Sequence, residues 1–151
     1  MLTEQEIAPA VRAWTRLMRA HAATTRLLSA QLQADHGLTI NDYEVLLRLA
    51  RAPDRMMRRV DLAQEVLLTP SGITRLLDGL QSCGLVEKAA CDSDARVVYA
   101  KLTDAGREKL KTATDDHVAS IRALFGERFK DEELRTLCDF LDRLQPPEAS
   151  D

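Results

Sequence analysis

At Gly84 the hydrophobic period of this 151-residue chain changes from about 3.6 to about 2. Before it, Ile73, Leu76, Leu77 and Leu80 recur at helical spacing and form one apolar stripe, so Ser71, Thr74, Arg75 and Asp78 face the other way. After it, Val86, Lys88 and Ala90 alternate with Glu87 and Ala89. Val98, Ala100 and Leu102 then alternate with Tyr99 and Lys101. The polar stretch Asp92–Arg96 between the two runs reads as the tip of a β-hairpin. A helix with a polar outer face therefore runs directly into a two-stranded hairpin.

The flanking segments read as helices. Residues 4–34 form one long helix in this reading, begun by a Thr3–Glu6 capping box and stopped at Asp35-His36-Gly37. A second starts at Thr39 or Asn41, with Tyr43, Leu46, Leu47 and Ala50 on its apolar side, and closes at Pro53-Asp54. A third, short one covers 60–68. Thr69 is the expected N-cap of the next, with Pro70 at its first position, where a missing N–H costs nothing. Thr103-Asp104 starts a helix reaching about Phe125, and a last one spans about 131–144 until Pro146-Pro147. Helix, short helix, exposed-faced helix and hairpin is the order of a winged helix-turn-helix. The expected class is mainly α (α+β), with an all-helical region built from the termini. The long apolar stripes of the terminal helices suit burial against a second copy as a symmetric homodimer.

Total charge argues the other way from a polyanion-binding lobe. There are 21 basic and 24 acidic residues, a formal net charge of −3. Residues 1–50 balance, with five of each sign. Residues 51–111 carry eleven basic and nine acidic side chains, whereas 112–151 carry five and ten. The middle is thus mildly basic and the C-terminal end acidic, and the local distribution decides where a polyanion docks. The start Met1-Leu-Thr-Glu-Gln-Glu lacks the basic and apolar regions of a signal peptide. No apolar run approaches the ~20 residues of a membrane span. With an odd number of well-separated cysteines, Cys83, Cys91 and Cys138, the expectation is a reducing cytoplasm and no membrane partner.

In order and spacing, Leu68-Thr-Pro-Ser-Gly-Ile-Thr-Arg-Leu-Leu-Asp-Gly-Leu80, Gly84-Leu-Val-Glu-Lys88, Asp94-Ala-Arg96 and Leu102-Thr-Asp-Ala-Gly106 resemble the MarR family of bacterial transcriptional regulators. The resemblance implies a homodimer that binds pseudo-palindromic double-stranded promoter DNA, most often as a repressor released by a small molecule or an oxidant. It implies a DNA-binding lobe over 37–102 and a dimerisation region over 1–36 and 103–147; the acidic terminal residues 148–151 read as a disordered tail. One departure is that Asp92 and Ala95 flank the wing motif where the family often carries further basic residues.

The residue types fit that task. Thr69, Pro70, Ser71 and Thr74 open the helix expected to enter the major groove, where short hydroxyls and backbone N–H groups meet bases or phosphates. Arg75 suits a bidentate guanine contact, although a salt bridge to Asp78 would make it ordinary surface charge. Arg96 is expected in the minor groove, held by Asp94, with Lys88 and Lys101 near phosphates. Arg55, Arg58 and Arg59 form a basic cluster that reads most simply as solubilising charge, with phosphate contact as the alternative.

A small-molecule effector, an aromatic acid or phenol, is expected near Trp14, Met18 and His21 on the first helix, with Arg16 and Tyr43 as polar tips. This follows from the ligand cleft the resemblance implies between the dimerisation helices and the lobe. Alternatives are a redox-responsive repressor using Cys83 or Cys91, and a winged-helix protein-interaction module that ignores DNA. His21, His36 and His117 lie scattered without metal-ligand spacing, so no metal or other cofactor is expected. No GxSxG, P-loop, HExxH or GxGxxG motif marks an enzyme.

Overall fold

A computed structural model describes residues 8–145. The expected Thr3–Glu6 capping box and the Pro146-Pro147 stop lie outside the described residues, as does the 148–151 tail. Two compact units meet within one helix, the first reaching His117 and the second starting at Val118.

Helix α1 runs Pro9–His36, with Pro9 in the first turn, where a missing N–H is harmless. It ends as its glycine requires: Gly37 takes φ 67°, and its N–H donates to the Gln33 carbonyl at 3.0 Å. Helix α2, Ile40–Arg51, starts on Thr39. Thr39 Oγ1 accepts from the Asp42 amide at 3.1 Å, and the Asp42 carboxylate accepts from the Thr39 amide at 2.8 Å. Of the expected apolar side, Tyr43 and Leu46 are buried and Leu47 and Ala50 are half-buried against the core, which Val45 and Leu49 complete.

After a 3₁₀ turn at Pro53–Arg55 the chain departs from expectation. Met56–Arg58 form strand β1, which pairs antiparallel with strand β3, Val98–Leu102. Strand β2, Val86–Ala90, pairs with the other edge of β3, from Val86↔Leu102 to Ala90↔Val98. The sheet is therefore three-stranded, in the order β1-β3-β2, rather than a bare hairpin. Three residues carry no readable alternation; what makes Met56–Arg58 a strand is the free edge of β3, a tertiary partner.

Helix α3, Arg59–Glu65, is shorter than its apolar run. Leu67 stops it by taking φ 56°, which lets the Leu68 N–H reach back to the Ala63 carbonyl at 2.9 Å. Helix α4 spans Pro70–Ser82, capped by Thr69, whose Oγ1 accepts from the Gly72 amide at 3.1 Å. Ile73, Leu77 and Leu80 are buried and Leu76 only half-buried. Gly84, at φ 73°, turns the chain into β2. Thr103 joins β3 to helix α5, Asp104–Gly126: its hydroxyl donates to the Gly84 carbonyl at 2.7 Å and accepts from the Gly106 amide at 3.0 Å. Gly106 packs so closely that a Cβ there would run into the Leu85 carbonyl and the Leu102 side chain. Leu46, Leu49, Leu62, Ile73 and Leu102 sit at the centre of one core in the first unit.

In the second unit, helix α6 covers Asp131–Asp142, and the Lys130 amide donates to Glu133 at 2.8 Å. Leu134, Leu137 and Leu141 are half-buried, and Phe140 and Leu144 are exposed.

Candidate nucleic-acid interface

The first turn of α4 presents its polar atoms outward because the N-cap and the buried stripe fix its rotation. Thr69 Oγ1 and Ser71 Oγ lie 3.3 Å apart at an exposed corner next to Pro70. Thr74 donates its hydroxyl hydrogen to the Pro70 carbonyl at 2.9 Å, so toward a ligand it offers a methyl group and oxygen lone pairs. Arg75 is exposed and makes no ion pair or side-chain hydrogen bond among the described residues. The expected rival arrangement, an Arg75–Asp78 bridge, does not form: Asp78 pairs instead with Lys88 at 3.9 Å. Both partners there are more than half exposed, so that pair is weak and leaves the Lys88 ammonium free to exchange it for an anion.

At the wing, one carboxylate oxygen holds Arg96 in place. Asp94 Oδ1 accepts from the Arg96 amide at 3.0 Å and from its Nε at 3.2 Å. These two donors hold the Asp94 carboxyl below its ordinary range. The Arg96 side chain is nonetheless 92% exposed, which leaves its terminal nitrogens to point into solvent. Lys101, opposite both Met56 and Glu87 in the sheet, is half-buried.

Helix and wing border one groove of about 400 Å³, lined by Pro70 and Thr74 of α4 and by Arg96 and Val98 of the wing. Its other wall carries Arg58 and Arg59, two residues for which the sequence leaves solubilising charge and phosphate contact both open. The third member of that run, Arg55, is committed elsewhere, to Asp104 at 3.0 Å. The β1–β3 pairing separates these fates, and no local pattern announces it.

The expected effector residues are not gathered within one chain. Trp14 and Met18 are 61% and 51% exposed, and Arg16 and His21 are exposed as well. His21 borders a shallow hollow with Thr25, Arg26 and Ser29 that includes none of the other four. Tyr43 is buried in the core, its hydroxyl 3.2 Å from Thr114 Oγ1 and its ring centroid 4.7 Å from that of His117.

Cys83, Cys91 and Cys138 are free thiols. Cys91 lies at the wing with its sulfur 3.0 Å from the Ser93 hydroxyl, which with the Ser93 and Asp94 backbone lowers the thiol pKa. Among the described residues no cluster of His, Cys, Asp or Glu is arranged to hold a metal, and no helix is long and apolar enough to cross a membrane.

Comparison with known proteins places this geometry. The MarR family profile matches residues 36–97, from the end of α1 to the wing. The HTH-type transcriptional repressor YetL of Bacillus subtilis (strain 168) is 31% identical over 115 residues, covering 74% of this chain and 68% of that one. AbsC, a MarR family transcriptional regulator from Streptomyces coelicolor, superposes with a TM-score of 0.80 at 31% identity, over 95% of this chain and 94% of its own. Sco3205, a MarR family regulator from the same organism solved in complex with DNA, gives 0.81 at 30% identity, over 100% and 95%.

Proposed function

The chain belongs to the MarR family of transcriptional regulators, and from that premise we propose that it is a homodimeric, sequence-specific DNA-binding repressor released by a small-molecule effector. The observation that carries the reading is the shared groove. It sets Pro70 and Thr74, in the first turns of α4, beside an arginine that Asp94 pre-orients on the wing. In this reading α4 enters the major groove, with Thr69, Pro70, Ser71, Thr74 and Arg75 toward bases and phosphates. Arg96 enters the adjacent minor groove, held by Asp94, and Lys88 exchanges Asp78 for a phosphate.

Residues 37–102 are the DNA-binding lobe, and 1–36 with 103–147 form the dimerisation region. Support for the dimer comes from apolar side chains left uncovered on each terminal region: Val11, Trp14, Met18 and Leu27 on α1, and Phe140 and Leu144 at the other end. The effector, an aromatic acid or phenol, fits the exposed Trp14, Arg16, Met18 and His21 once a partner helix covers them. Tyr43 is left out of that pocket, because its hydroxyl already has Thr114 as a partner. The protein works in the cytoplasm in this reading, and like its family it regulates rather than catalyses.

The test is binding to duplex DNA from its own upstream region across a salt series. The logarithm of affinity should fall linearly with the logarithm of salt, with a slope of about −0.9 per phosphate contact. A flat response would leave the winged helix as a protein-interaction module.

A further inference from the structure

The groove between α4 and the wing raises a question the reading helix and the wing arginine do not answer. Arg58 closes β1, opposite Tyr99 of β3, and Arg59 opens α3. Both side chains line the groove with Arg96 and Thr74. Among the described residues neither guanidinium forms an ion pair or hydrogen bond, and no carboxylate lines the groove. Arg96 is held by Asp94, but Arg58 and Arg59 have no bonded carboxylate; the nearest acidic groups, Asp61 and Glu65 beside Arg58 and Asp78 and Glu87 beside Arg59, line separate hollows. Two like charges beside a third in a concave site repel one another, and a concave wall concentrates their field. Such a site is relieved by an anion.

We infer that this groove seats a DNA sugar–phosphate backbone, with Arg58 and Arg59 as a phosphate clamp between the reading helix and the wing. The inference rests on the DNA-binding reading above and adds to it the strand that reading leaves unplaced. When a helix occupies a major groove and a wing the adjacent minor groove, the two are divided by one sugar–phosphate backbone. That backbone must pass between α4 and Arg96, where the groove lies. Its floor is apolar, with Val60, Ile73 and Val98, which suits deoxyribose carbons, while the arginines at its walls suit the phosphates. Phosphate contacts carry no sequence information but fix register, so the clamp sets how deeply α4 sits in its groove.

The experiment is fluorescence anisotropy of the full chain on two labelled duplexes, one A·T-rich and one G·C-rich, over a salt series. Arg58→Ala and Arg59→Ala should each weaken binding by the same factor on both duplexes and reduce the salt slope by about 1.8, one contact being lost from each protomer of the dimer; the double variant should lose about twice that. Arg58→Lys/Arg59→Lys should keep the slope, because the charge is what matters. Thermal unfolding midpoints should not fall below the wild-type value, which shows the fold intact, and relief of the repulsion should raise them slightly. A double Ala variant with wild-type affinity and slope overturns the clamp while leaving DNA binding by the wild type standing. If the wild type itself shows no salt-dependent binding, the clamp and the DNA-binding reading fall together. Unequal losses on the two duplexes overturn the clamp in favour of base readout. A clamp variant that binds DNA normally but loses thermal stabilisation by benzoate overturns it in favour of a small-carboxylate pocket.

Discussion

Arg75 and Arg96 carry the same guanidinium, yet their surroundings give them different work. Arg75 stands free on a rigid helix, able to meet a base edge with both terminal nitrogens; Arg96 is tethered by Asp94 on a loop and offers only its outer edge. Arg75→Ala should therefore cost about 1–3 kcal/mol of operator binding and relax base preference. Arg96→Ala should weaken binding chiefly at A·T-rich flanks, where the minor groove is narrow. Equal binding by both variants and wild type, measured on duplexes varied at one position at a time, would sink this assignment. His117 gives a second residue-scale expectation. Burial pushes its imidazole below the ordinary value against the opposing Glu44 carboxylate, and its buried Nδ1 has no partner. The folded chain thus disfavours the proton that the unfolded chain takes up below pH about 6.5. Its contribution to stability is present above that pH and is lost as the pH falls through it toward the lower folded value. Urea unfolding at about pH 7.5 and about pH 5.5 should show wild type losing more stability than His117→Gln.

Among the elements, α4 and the wing are connected by something more rigid than the turn at Gly84. Thr103 bonds the Gly84 carbonyl and the Gly106 amide, its own amide donates to the Leu85 carbonyl at 3.1 Å, and Gly106 lies against that same carbonyl. The Leu102-Thr-Asp-Ala-Gly106 motif is thus a packing junction: threonine supplies both hydrogen-bonding roles, and glycine allows the approach. Gly106→Ala should destabilise the fold by on the order of 2 kcal/mol, because the obstructing atom is backbone and cannot rotate away. A change below about 0.5 kcal/mol in urea unfolding, within the range of ordinary surface substitutions, would mean the junction relaxes freely. The helices and hairpin were legible because α4, α5 and the wing each carry a stop or cap residue and a periodic stripe. Strand β1 was not: Met56–Arg58 has no alternation long enough to read, and its existence depends on β3, more than forty residues further on.

For the molecule as a whole, a net charge of −3 is the least informative number, since basic residues prevail over 51–111 and acidic ones over 112–151. The acidic end keeps the proposed dimerisation region away from phosphates and leaves docking to a few placed cations. That region should exist only as a pair. Trp14→Asp combined with Met18→Asp places charge on the exposed α1 face, and light scattering should then give about half the wild-type mass. Tight binding to two half-sites about one helical turn, ~10 bp, apart should vanish with the dimer. A double variant that remains dimeric would move the interface off this face of α1.

The sequence by itself determined the order of elements, the α4 stripe, the capping threonines and the Asp94–Arg96 pairing, because each depends on residues within a few positions of one another. Tertiary structure alone decided which cations share the groove. Arg55, Arg58 and Arg59 are near neighbours in the chain, yet pairing of β1 with β3 sends one to Asp104 and two to the wall facing Arg96. It also buried Tyr43 while leaving Trp14 and Met18 in the open. Local bonds can be read from spacing; which surfaces come together depends on strand pairing and core packing between distant segments, which no local period encodes.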